Sequence, residues 1–165
     1  MFYVELFRAL AEHKVRYVVV GGLALNLHGV ERATMDIDLA VALDAANLEA
    51  ALDVAEQLQL VPVAPVALRD AGNPATLEKW RTEKNMIAFG LRPKSGNGPV
   101  VDLPTALPFP FDDLYRAAIS RQVGGVTVTI ASVENLIAMK RAAGRPLDLA
   151  DIESLESLKR LGLDR

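Results

Sequence analysis

The sequence predicts an α+β fold, a mixed β-sheet with helices packed against it. Three observations carry that expectation. Short apolar strands alternate with helices through the first 60 residues. Two apolar runs near residues 86–103 are joined by a polar turn, as in a hairpin. The last 30 residues show two amphipathic stretches separated by Gly144-Arg145-Pro146.

The elements follow in order. Phe2, Leu6 and Leu10 share one face of a helix over 2–13. Val15 to Val20 is β-branched and aromatic and reads as a buried strand. Gly21-Gly22 breaks it, and a short helix follows to Leu27. Ile37 to Val41 is a second strand, and Asp44 caps a helix over 45–58. Pro62 and Pro65 confine Leu60 to Val66 to an edge strand or an irregular run. Residues 68–85 show no periodicity beyond a turn at Gly72-Asn73-Pro74. Met86–Leu91 and Val100–Leu103 form the expected hairpin around Pro93 to Gly98. Asp112 is expected to cap a helix through Ile119, and Val126 to Ile130 is a strand. Ser132 caps a helix to Ala143, and a last helix spans Leu147 to Leu161.

Length and composition set bounds. The 165 residues suit a single domain, 1–165, with a core over about 15–105 and terminal helices over about 132–162. Hydrophobic residues make up 51% and charged residues 24%, which is a globular balance. A net charge of −3 gives no broad basic field for long nucleic acid. Without cysteine there are no disulfides and no thiolate metal sites. The start of the chain does not read as a signal peptide and no run is long enough to span a membrane, so a cytoplasmic protein with no membrane partner is expected.

The chemistry centres on Asp36-Ile37-Asp38. On a strand, residues two apart point to the same face, some 6.5–7 Å apart at Cα. Two such carboxylates repel each other unless a cation lies between them, and hard oxygen donors suit Mg²⁺ or Mn²⁺. Asp102, a lone acid in the apolar run Val100 to Leu103, is the candidate third ligand of a two-ion site. Gly21-Gly22, between a strand and a helix, lets the backbone approach a phosphate. Paired carboxylates beside a phosphate cradle point to a metal-bound nucleoside triphosphate.

The pattern of strand, Gly21-Gly22, short helix and Arg32-Ala33-Thr34-Met35-Asp36-Ile37-Asp38-Leu39 resembles the nucleotidyltransferase superfamily with the DNA polymerase β-like fold. Its wording is most similar to minimal nucleotidyltransferases and to nucleotidyltransferase toxins of the abortive-infection (AbiEii) type. The stretch Ser132 to Ile152 is similar to the end of those proteins, where a lysine and an aspartate follow the core; here they are Lys140 and Asp148. The resemblance covers about 15–43 and 100–155, and it departs from members with Gly-Ser at the Gly21-Gly22 position. It implies transfer of a nucleoside monophosphate from an NTP to a hydroxyl, with two Mg²⁺ or Mn²⁺ ions on Asp36, Asp38 and Asp102. The phosphates would meet Gly21, Gly22 and Lys140. Arg32 and Thr34 either orient the loop before Asp36 or touch phosphate. The acceptor is a partner protein, a tRNA 3′ end or a small molecule, and a toxin–antitoxin or phage-defence setting follows from the same resemblance. The alternative is an inactive module that binds a nucleotide or a partner. A basic cleft using Arg69, Lys79, Arg81 and Lys84 would favour RNA. His13, His28 and Trp80 read as structural, Asp148 as a cap of the last helix, and the apolar stripes of the last helices as core or a homodimer face.

Overall fold

A computed structural model describes residues 1–165. Helices α1 (Phe2–Glu12), α2 (Gly21–Leu27), α3 (Ala45–Gln57), α4 (Pro74–Lys84), α5 (Phe111–Ala117), α6 (Val133–Ala143) and α7 (Pro146–Arg160) surround seven strands. The strands are β1 (Tyr17–Val20), β2 (Ile37–Val41), β3 (Leu60–Pro62), β4 (Ala88–Pro93), β5 (Val101–Pro104), β6 (Ile119–Val123) and β7 (Val126–Ile130). They form one mixed sheet in the order β3-β4-β5-β2-β1-β7-β6. The β1–β7 and β2–β5 pairs are parallel; the others are antiparallel.

Local chemistry explains where the elements start and stop. The Asp44 side chain accepts from Asn47 N at 2.9 Å and opens α3. Asn73 caps α4 through Ala75 N, and Pro74 occupies its first turn. Ser132 accepts from Asn135 N at 3.2 Å and opens α6, which ends on Gly144 in the left-handed region.

The two faces of the sheet differ. Leu39, Val41, Leu91, Val101 and Leu103 point to one face, where α1 and α3 cover them with Leu6, Leu10, Ala51, Val54 and Ala55. Trp80 of α4 extends this layer, stacked on Phe89 with ring centroids 5.9 Å apart, so it is packing as expected. Asp38 and Asp102 alternate with these residues and point to the other face.

The structure departs from the sequence expectations at three places. Residues 74–84 form a full helix, where the sequence shows no helical periodicity. Asp112 lies in the first turn of α5, and Pro110 occupies the cap position instead. Ile119 opens strand β6, which pairs with β7 through a Gly124-Gly125 turn, and is not a helix end.

Phe89 is 1% exposed in the centre of this layer. Phe89→Ala is expected to destabilise the protein by about 3–5 kcal/mol, measured as a lower urea midpoint with an unchanged slope.

Candidate active site

A row of residues crosses four strands. Val20 of β1 lies opposite Asp38 of β2, Asp38 is in register with Asp102 of β5, and Asp102 lies opposite Gly90 of β4. Register partners share a face, so both acids project side by side from adjacent strands about 4.8 Å apart. Asp36 is exposed one residue before β2 begins, where Ile37 N donates to Val100 O at 2.8 Å. Only Asp38 is therefore in the strand, while Ile37 is fully buried as expected.

The glycines make room for these acids. Gly21 has φ +67°, and a Cβ there would lie 2.1 Å from Asp38 Oδ2. A Cβ on Gly22 would meet Thr34 Oγ1 at 2.8 Å, so Thr34 lies over the glycine turn; its hydroxyl also donates to Asp36 O at 3.3 Å. Gly90 performs the same service for Asp102, whose Oδ1 would stand 3.0 Å from an added Cβ. Side chains at these positions would compete with the carboxylates for the same space.

The carboxylates repel one another. Burial, then the charges of Asp102 and Asp36, push the Asp38 carboxyl up to about 6. Asp102 is also raised, by burial and by Asp36. Lys140 and Arg145 pull Asp38 back down. The donors are all hard oxygens, the chemistry that fits Mg²⁺ or Mn²⁺. As they stand, no three acid or histidine side chains are gathered closely enough to hold an ion.

A cleft of about 250 Å³ opens beside Asp38. Gly21 and Val20 line one side, and Leu136, Met139, Lys140 and Arg145 line the other. Lys140 is 7% exposed and is not a solvated surface residue. Its Nζ lies 2.8 Å from Asp151 Oδ2 and 3.5 Å from Asp148 Oδ1. Arg145 grips Asp148 with two nitrogens, Nε to Oδ2 at 2.9 Å and Nη2 to Oδ1 at 3.1 Å. Asp148 is not the cap residue expected from the sequence: Arg145 occupies the cap position of α7, and Asp148, in its first turn, accepts from Arg145 N at 3.0 Å and holds two cations as well. These bonds, led by Arg145, hold its carboxyl down at about 2. Arg32 does not line the cleft; its Nη1 reaches Asp151 Oδ2 at 2.5 Å.

Other expected roles resolve simply. Arg69 is shared among Glu49, Asp53 and Glu56, and Arg81 pairs with Glu78, so neither offers a free cation for RNA. His28 Nε2 donates to Ala131 O at 2.8 Å and the ring is buried; His13 bonds Gln57. Gly90, Arg145 and Asp151 join the site without having been expected from the sequence. An Arg-Pro-x-Asp start to a helix signals the Arg145–Asp148 pair, but no local pattern marks Gly90 or Asp151.

Solved structures are similar to this architecture. One is the antibiotic-resistance factor ANT(2'')-Ia in solution, with a TM-score of 0.61 and 16% identity over 96% of this chain and 82% of the other. The crystal structure of ANT(2'')-Ia with adenylyl-2''-tobramycin gives 0.60 and 16%, over 97% and 87%. An antigenic nucleotidyltransferase-like protein from Paracoccidioides brasiliensis gives 0.55 and 21%, over 93% and 72%. The chain has the nucleotidyltransferase superfamily fold. No family model and no curated protein matches its sequence.

Two outcomes test the site's construction. Gly21→Ala, strained by its left-handed φ and by the clash with Asp38, is expected to displace that carboxylate. A crystal structure of the variant would show Asp38 moved while the sheet is retained. Asp148 has a folded pKa below its ordinary value, so its contribution to stability is present above about pH 4 and is lost as pH falls toward 2. The stability gap between wild type and Asp148→Asn should therefore be widest near neutrality and close over that window in denaturant titrations.

Proposed function

We propose that this protein is a metal-dependent nucleotidyltransferase that moves a nucleoside monophosphate from an NTP to a hydroxyl, releasing pyrophosphate. The observation that carries the reading is the in-register pair Asp38–Asp102, with Asp36 beside it, facing a glycine turn and a cleft with a buried lysine. An acid pair of this kind is costly in a sheet and is best explained by a cationic ligand.

Asp36, Asp38 and Asp102 would hold Mg²⁺ or Mn²⁺, which when bound neutralises the triphosphate and the developing charge at the attacked phosphorus. Gly21 and Gly22 leave the backbone open to the phosphate chain. Lys140 and Arg145 on the far wall favour the charge that builds on the leaving pyrophosphate. Asp102, on the far side of β2 from the glycine turn, would bind the metal nearest the acceptor hydroxyl and help to take its proton. Thr34 keeps the loop leading to Asp36 over the glycine turn.

The acceptor we propose is a protein side chain, a tRNA 3′ end or a small molecule. The neighbour ANT(2'')-Ia was crystallised with an adenylylated aminoglycoside. The resemblance of residues 32–39 to abortive-infection toxins and minimal nucleotidyltransferases supports a toxin–antitoxin or phage-defence setting. An inactive module that binds a nucleotide or a partner without turnover is the competing reading.

Labelled NTPs with Mg²⁺ and a lysate as acceptor source decide between them. Label transfer and pyrophosphate release are expected, with Asp38→Asn lowering the rate roughly 10²–10³-fold. Mg²⁺-dependent binding of NTP without transfer to any acceptor would leave the module.

A further inference from the structure

We infer that Asp151 is a positioning residue that sets Lys140 in the cleft and, through the same oxygen, ties down the loop leading to Asp36. This rests on the nucleotide reading above. Asp151 Oδ2 takes both contacts, from Lys140 Nζ at 2.8 Å and from Arg32 Nη1 at 2.5 Å. The three residues come from separate segments: the loop before β2, α6 and α7. One oxygen therefore joins the glycine-covering loop to the cleft wall.

A purely structural role accounts poorly for this cluster. Asp151 and Lys140 are 6% and 7% exposed. Apolar side chains of similar size would hold two helices together at less desolvation cost. Yet three cations, Arg32, Lys140 and Arg145, gather on two acids, Asp148 and Asp151, leaving one positive charge unmatched. Of the three, Lys140 and Arg145 line the cleft that also holds Asp38 and Gly21, while Arg32 meets Asp151 outside it. Asp148 lies further from Lys140, at 3.5 Å, and is held by Arg145 on both oxygens. Asp151 is thus the closer restraint on the ammonium. Arg32, held by the same oxygen, stands two residues before Thr34 and four before Asp36.

Inorganic triphosphate with Mg²⁺ is the probe, titrated by calorimetry into wild type, Asp151→Asn, Lys140→Met and the double variant. Asp151→Asn is expected to weaken binding about tenfold, the size of coupling seen between contacting charged groups. In the Lys140→Met background the same change should have little further effect. Hydrogen exchange over residues 30–36 should be faster in Asp151→Asn than in wild type, which reads the Arg32 arm. Equal affinity of Asp151→Asn and wild type, an equal loss in both backgrounds, or unchanged exchange overturns the inference. If wild type itself does not bind triphosphate, the nucleotide reading falls and takes this one with it. Where Asp151→Asn does not fold, Asp151→Leu, which also removes the carboxylate, takes its place in the cycle, and the same results support or overturn the inference.

Discussion

Two carboxylates held in register on neighbouring strands constrain everything around them. Asp38 and Asp102 cannot separate without breaking the parallel β2–β5 pairing, and partial burial weakens the screening of their charges by water. The rest of the site is arranged about that repulsion. Glycines at 21 and 90 leave space beside each acid, and the cations of α6 and α7 lie across the cleft. A sheet that needed only stability would place apolar residues here, as it does at Val101 and Leu103 on the opposite face.

The cations are restrained in turn. Lys140 and Arg145 are paired with acids on α7, so their positive charge reaches the cleft at fixed positions. Charges that are already oriented cost little reorganisation when a polyanion arrives. The helical hairpin α6–α7 is thus part of the site as well as a cover for the sheet.

Much of this is readable in the chain because the signals are local. Asp36, Asp38 and the glycine pair lie within 18 residues of one another, and strand alternation places Ile37 inward and Asp38 outward. Asp102 stands out as an acid in an apolar run. The features that are not legible depend on distant partners or on a weak pattern. Helix α4 buries only Leu77 and Trp80, too few for an apolar stripe. Strand β6, Ile-Ser-Arg-Gln-Val, is half polar because it is a sheet edge, and it follows directly on a real helix. Asp151 gains its meaning from Arg32, 119 positions earlier. Gly90 gains its own from a facing acid on another strand.

The pairing of β7 with β1 has a consequence for how the protein is made. Val19 aligns with Ile130, Ala131 N donates to Val19 O, and His28 closes on Ala131 O. As the chain leaves the ribosome, β1 is among the first strands to appear, yet one of its edges waits for more than 100 residues of further synthesis. Until then the strand that leads into the glycine turn carries unsatisfied backbone groups, an invitation to intermolecular pairing. The carboxylate row draws only on residues up to 102, but the strand beside it is paired on both edges only once β7 has been made.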